Sequence, residues 1–343
     1  MTAKITSLAN DDLRSTEMLS EYMQPFQHIY DDESFNEICI NRPREIWTEN
    51  RDGWIRHDMP EMSFNHCKQL ATLIAGYNGK SVSLKAPILS AAMPGGARVQ
   101  VILPPACEQQ TVSITIRKPS LSEKSLDELE AEGAFAEYQL TNKDLMPFEK
   151  ELINLKNEKN IKEFLKLCVL SKRNIMVVGA TGSGKTYLTK SLVQCIPLHE
   201  RLVTVEDVNE LFLRMHPNKV HLFFHRDSDD PNKVTPKQCL EACLRMKPSR
   251  ILFAELRGDE AWEYIKSINN GHPGSISTMH ANGAFETFDQ LTALVKDSRT
   301  GTHLDARYIK QRLITSIDVI IFYDGWKLRE IYYDPEFKRE KMA

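Results

Sequence analysis

The chain has 343 residues, 41% hydrophobic and 27% charged, which is too long for one ordinary domain and gives ample material for more than one core. Its 44 basic residues stand against 47 acidic ones, a formal charge of −3, and this balance argues against direct sequence-specific nucleic-acid binding. The start "MTAKITSLANDDLRS" lacks the apolar core of a signal peptide, no stretch is apolar and long enough to cross a bilayer, and seven scattered cysteines point to reduced thiols in a cytoplasm.

From Asp32 to Ser120 the signals are mostly those of strands. "EICINRPREIWTENRDGWIRHD" is a set of short apolar segments broken at Asn-Arg-Pro and at the Asp52-Gly53 turn. "FNHCKQLATLIAGYNGK" reads as one amphipathic helix ending near Gly76. In "TVSITIRKPS", Val112, Ile114 and Ile116 alternate with Ser113, Thr115 and Arg117, one apolar and one polar face. These features predict a small α+β domain over residues 1–120. The acidic, polar stretch that follows reads as a helix-bearing linker over 121–147, closed by the break at Met146-Pro147.

Over 148–343 strand-like and helix-like segments alternate. "NIMVVGA", "LVTVED", "KVHLFFH" and "RILFAE" are short β runs, and such alternation predicts a mostly parallel sheet with helices on both faces. Cys239 and Cys243 lie one helical turn apart beside Leu240 and Leu244, a pattern for core packing and not for a metal.

"GATGSGKT" fits G-x-x-x-x-G-K-[ST] without a mismatch, between an apolar strand and an amphipathic helix. Backbone N–H groups of Gly179, Ala180, Thr181, Gly182, Ser183 and Gly184 are expected to point at the phosphates of ATP. Lys185 then reaches the β/γ-phosphates and Thr186 offers a hydroxyl to Mg²⁺. A phosphate loop also needs acids at neighbouring strand ends. "LVTVEDVNEL" offers Glu206 and Asp207, followed by Glu210, and "RILFAELRGDEA" offers Glu255, then Arg257. "NGHPGSISTMHANG" adds His272 and, at a strand end, His280; spacing alone favours structural histidines satisfied by the backbone.

The order "GATGSGKT", "TVEDVNELFL", "LRMKPSRILFAELRGDEAWEYI", "GHPGSISTMHANG" resembles the Walker A, Asp box, Walker B and His box of the secretion-superfamily traffic ATPases. Within them it is most similar to the hexameric ATPases of bacterial type IV secretion and conjugation systems. "ICINRPREIW", "LPPACEQQTVSITIRKPS" and "LMPFEKEL" extend the likeness from about Asp32 to Pro335. The resemblance implies a RecA-like P-loop ATPase domain preceded by a smaller α+β domain. It also implies Mg²⁺-dependent ATP hydrolysis by a homohexamer that meets other secretion-channel ATPases and inner-membrane channel proteins, peripherally bound to the cytoplasmic face of the inner membrane.

Carried over by motif, Glu206 would be the general base, Glu255 would hold Mg²⁺ with Thr186 and Asp207, and His280 with His272 would sense the γ-phosphate. The two glutamate roles are exchangeable at this stage. Arg98 and Arg117 match the arginines by which the family's N-terminal domain reaches the nucleotide. A type II secretion or pilus-retraction ATPase shares the four boxes. However, no C-x-x-C pair of a zinc insertion is present, and the chain ends in "SIDVIIFYDGWKLREIYYDP", which predicts a hairpin. A scaffold that binds ATP without hydrolysing it is disfavoured by the intact Lys185, Thr186, Glu206 and Glu255.

Overall fold

Two sheets organise the chain. In the computed structural model, which describes residues 16–119, 123–138, 144–226, 230 and 233–342, the first sheet is antiparallel throughout. It contains β1 (Glu37–Ile40), β2 (Glu45–Asn50), β3 (Gly53–Asp58), β4 (Ile88–Ala92), β5 (Arg98–Ile102) and β6 (Ser113–Arg117), in the order β3-β2-β1-β6-β5-β4. The opening fifteen residues and parts of the 121–147 stretch fall outside the described residues. The expected helix forms over Phe64–Tyr77, with the Ser63 hydroxyl accepting from the His66 N–H as its cap. It lays Leu70, Ala71 and Ile74 on a core that includes Ile38, Ile40, Ile114 and Ile116.

The second sheet holds β7 (Ile175–Val178), β8 (Leu202–Glu206), β9 (Lys219–Phe223), β10 (Arg250–Leu256), β11 (Ile276–Met279), β12 (Val319–Asp324) and β13 (Lys327–Tyr332). Its order is β13-β12-β7-β11-β10-β8-β9, parallel except for the β12–β13 hairpin. Strand β7 shows why the sequence reads as an unbroken apolar run. Ile175 and Val177 enter one core with the helices Pro147–Asn157, Ile161–Leu170 and Lys185–Val193. Met176 and Val178 enter the other with Pro236–Cys243, Glu260–Ile268, Thr287–Asp297 and Ala306–Ser316. Cys239 and Cys243 are buried, free thiols of that second core, and no helix among the described residues is long and apolar enough to cross a membrane.

The two units meet at the amino ends of β8, β9 and β10. Arg201, fully buried, donates from Nε to the Met246 carbonyl (2.9 Å) and from Nη1 to the side-chain oxygens of Asn218 and, across the boundary, Asn41 (both 2.6 Å). Its guanidinium also reaches Thr115 of β6 (3.4 Å) and lies 5.5 Å from the Trp54 ring. Lys247 pairs with Glu49 at 3.0 Å on the same seam. The polar face of β6 predicted by the alternation is buried at Ser113 and Thr115, as is Gln100 of β5. Thr115 is satisfied there by the Arg201 guanidinium that covers it.

Arg201→Ala is expected to cost about 3 kcal/mol, because it leaves several buried acceptors without a donor. Calorimetric melting of the full chain reads the loss, and limited proteolysis reads early separation of the two units; an unchanged melting temperature would refute the clamp.

Candidate functional site

Strand β7 runs directly into the glycine loop, and two glycines there are fixed by neighbours. A Cβ on Gly179 would lie 2.1 Å from the Tyr323 carbonyl oxygen. Gly184, at φ +97°, caps the helix Lys185–Val193, and a Cβ there would meet the rings of Tyr323 and Trp326 at 3.0 and 3.1 Å. The loop therefore takes a backbone close to its neighbours, with the first N–H groups of the helix directed outward from its start. Lys185 is buried and bends back, donating from Nζ to the carbonyls of Gly179 (2.9 Å) and Ala180 (2.7 Å). Burial lowers its pKa, opposed by the attraction of Glu255 and reinforced by Arg257. A buried ammonium resting on neutral carbonyls is matched to an arriving anion.

Acids and a histidine come from the carboxyl ends of the adjacent strands. Glu255, near the end of β10, sits 2.8 Å from His280 Nε2 through one oxygen and pairs with Arg257 through the other. His280 follows the last residue of β11, which pairs directly with β7. Thr186 donates its hydroxyl to Glu210 Oε2 at 3.3 Å. Arg257 is held in its charged form by its hydrogen bond to Glu255, with added attraction from Asp207 and Glu210. Lys185, Thr186, Glu210, Glu255, Arg257 and His280 thus converge at one edge of the sheet.

Other expected residues lie elsewhere. Glu206 is fully buried, and both its oxygens are occupied. Oε1 accepts from Thr204 (2.6 Å) and lies 3.1 Å from His221 Nδ1, while Oε2 accepts from the N–H groups of Glu210 (2.8 Å) and Leu211 (3.0 Å). Burial pushes its carboxyl up, but the hydrogen bonds from His221, Thr204, Glu210 and Leu211 outweigh this and leave its pKa below the ordinary value. Glu206 thus pins the turn that presents Glu210, and to act as the expected general base it would have to release one of these hydrogen bonds. Asp207 is engaged by Arg226 (3.5 Å) and by the Val208 N–H, and it is Glu210, given no role by the sequence, that stands beside Thr186.

His272 precedes β11 and donates from Nδ1 to the Pro248 carbonyl (3.0 Å), at the opposite edge of the sheet from His280. It therefore does not share a phosphate with the loop of its own subunit. Arg98 and Arg117, paired across β5 and β6, are likewise remote from that loop. They line a cleft of about 860 Å³ with Lys80, Arg245, Lys247 and His272, where the two units face each other.

The donor set fits a nucleotide triphosphate: an amide-rich loop, a buried ammonium and a hydroxyl at the start of a helix. Among the described residues no group of three His, Cys, Asp or Glu is placed to hold a metal unaided. A divalent cation arriving with such a triphosphate would be held by the Thr186 hydroxyl with the Glu210 carboxylate beside it, and would neutralise phosphate charge. The sequence reading named Glu210 only as following Asp207. Its signal was its spacing, four residues past Glu206 on the same strand exit.

The chain matches the family "Type II/IV secretion system protein" over residues 23–322. It is 40% identical over 327 residues to the type IV secretion system protein VirB11 of Brucella suis biovar 1 (strain 1330), covering 93% of this chain and 91% of that protein. It is 41% identical over 335 residues to VirB11 of Bartonella quintana (strain Toulouse), covering 93% and 94%. Among solved structures, the VirB11 ATPase of the Brucella suis type IV secretion system, in complex with sulphate, superposes with a TM-score of 0.88 at 40% identity, covering 94% of this chain and 99% of that one.

The position of Glu206 yields a pH-dependent test. Its folded pKa is depressed below the ordinary 4.5, so its stabilisation is present above that value and is lost as pH falls through the folded pKa. Glu206→Gln should therefore cost about 2 kcal/mol at neutral pH, and the difference in melting temperature from the parent should shrink below about pH 4. Glu210→Gln, at the exposed end of the same turn, should melt with the parent; the reverse ranking would overturn the assignment.

Proposed function

The chain belongs to the type II/IV secretion system protein family and is an ATPase, and from that premise we propose that it is the ring-forming motor of a type IV secretion or conjugation machine. The seven-stranded unit is read as its RecA-like ATPase domain and the six-stranded unit as its N-terminal domain. The observation that carries the reading is Lys185, buried and bent onto loop carbonyls at the sheet edge where Glu255, His280 and Glu210 converge. The proposed place of work is the cytoplasmic face of the inner membrane, through peripheral contact and with other channel proteins as partners.

In this reading the loop amides from Gly179 to Gly184 and the Lys185 ammonium hold the β/γ-phosphates of ATP, trading loop carbonyls for phosphate oxygens. A bound Mg²⁺ supplies charge neutralisation on those phosphates. Glu210 orients the Thr186 hydroxyl toward the metal. Glu255, close to Lys185 and shared between His280 and Arg257, positions and deprotonates the attacking water. His280 donates or releases a hydrogen bond as the γ-phosphate comes and goes, and Arg257 moves with Glu255. Hydrolysis is thereby tied to a rearrangement of the sheet edge.

Arg98 and Arg117 act in trans. They sit by the amino edge of their own ATPase sheet, so a head-to-tail ring brings them to the phosphate edge of the next copy. There a guanidinium stabilises charge developing on the γ-phosphate. Each subunit alone holds only half a site, and six copies close the ring.

Lys185→Ala is expected to abolish phosphate release by the purified chain, and Glu255→Gln to lower turnover by roughly 10²-fold or more while nucleotide still binds. Unchanged turnover in either variant would refute the hydrolytic assignment.

A second experiment tests the shared site. Mixed one to one, inactive Lys185→Ala and Arg98→Ala/Arg117→Ala subunits should regain about a quarter of parental turnover, because some interfaces pair an intact loop with intact arginines. No recovery on mixing, or a particle that stays monomeric with ATP, would rule out the trans arrangement.

A further inference from the structure

The residues assigned to phosphate chemistry all lie on one flank of the glycine loop. Strand β7 has two neighbours, β11 and β12, and His280, Glu255 and Glu210 come from the β11 side of the sheet. On the other flank stands the tip of the β12–β13 hairpin, which has no role in the reading above. The Trp326 N–H donates to the Ser183 carbonyl at 3.1 Å, and the Tyr323 hydroxyl donates to the Trp326 carbonyl at 2.9 Å. The tip is therefore fastened to the loop itself. The Trp326 indole packs against Gly184, and its ring centre lies 5.6 Å from that of Tyr187, in the first turn of the loop's helix, with the planes at 62°.

Both rings are nevertheless open to solvent, Trp326 at 61% and Tyr187 at 63%. Trp47 and Trp262 are buried and Trp54 is partly buried, so this is the most exposed tryptophan of the four. Its backbone is unusual as well. Trp326 sits at φ +61°, beside Gly325 at φ +55°, in a hairpin turn where glycine or asparagine is the ordinary choice. A bulky residue in the left-handed region costs conformational energy, and such strain collects where a side chain is needed for a ligand.

The geometry points to Trp326 and Tyr187 as the nucleobase platform of this ATPase. With the γ-phosphate directed toward Glu255 and His280, a nucleotide lying across the loop extends its base toward β12, over two exposed rings set at an angle. A purine ring stacks on an aromatic face without needing hydrogen bonds, and each such stack contributes measurably to affinity. The proposal rests on the nucleotide reading of the loop and adds where the base goes.

The test uses the full chain and two probes, Mg²⁺-ADP and inorganic tripolyphosphate, the second having no base. Trp326→Ala should weaken ADP binding by about tenfold or more and leave tripolyphosphate within about twofold of the parent. Trp326→Phe should restore most of the ADP affinity, and Tyr187→Ala should show a smaller loss. Indole emission of the parent should change on adding ADP and stay constant with tripolyphosphate. Unchanged ADP affinity in Trp326→Ala would overturn the platform. So would an equal loss of both probes at an unchanged melting temperature, since the indole would then only prop the loop. Lys185→Ala, run in parallel, should lose both probes. If it retained both, the phosphate reading itself would fall, an outcome distinct from failure of the platform alone.

Discussion

The structure depends on how closely the backbone approaches itself at the carboxyl end of β7. Gly179 leaves no room for a side chain because the Tyr323 carbonyl, at the end of the neighbouring β12, occupies the place of its Cβ. That contact holds the loop close against β12 and leaves its backbone little freedom to shift. Everything charged at this edge takes its position from it. Lys185 is near enough to fold onto the loop carbonyls, Glu255 and His280 meet one strand away, and the hairpin tip rests on Ser183. Preorganisation of this kind is what makes an ammonium and a row of amides effective, since no dipole has to be reoriented when charge arrives.

The two edges of the same sheet carry opposite duties. The amino edge is an interface, closed by the buried Arg201 and its asparagine, threonine and tryptophan neighbours. The cationic cleft opens beside it, and among the described residues Glu37 is the one carboxylate in its lining. Burial pushes the Glu37 carboxyl up to about 7, against the pull of Arg117 at 3.5 Å and of Lys247. Arg117 thus has a partner that holds its ionised form only weakly at neutral pH, and a guanidinium so placed is available to a stronger anion. Rigid support at one edge and unspent positive charge beside it are compatible because the clamp uses neutral acceptors, not carboxylates.

Much of this was legible in the residues. The glycine loop was readable because its positions admit few residue types, and the strands of the second sheet because burial on both faces leaves unbroken apolar runs such as Ile175–Val178. Glu255 was readable as an acid at a strand end. What escaped was set by contacts between segments far apart in sequence. Glu206 and Glu210 leave the same strand, and only the return of the 210 and 211 N–H groups onto Glu206 decides which is buried and which faces Thr186. The Ser113/Thr115 face of β6 alternates like a solvated surface, yet it is covered by a polar patch centred on Arg201. Trp326 was read only as part of a hairpin, because nothing in local patterning tells a turn residue that it will lie on a loop from 143 residues earlier.

The separation of the edges also bears on the ring proposed above. A subunit that placed its own arginines over its own phosphates could hydrolyse ATP alone, and its turnover would carry no information about its neighbours. Here Arg98 and Arg117 share the amino-edge cleft with Arg245, Lys247 and His272, across the sheet from Lys185 and Glu255. In the ring proposed above, completing one site would require a second copy, and the clamp at Arg201 would make each N-terminal unit move with the ATPase sheet it rests on. Loss of a γ-phosphate at one interface would then release the arginines of the next subunit and, through the clamp, shift that subunit's own loop. Rigid coupling within a copy and contingent coupling between copies would together convert a local change of charge into motion passed around the ring.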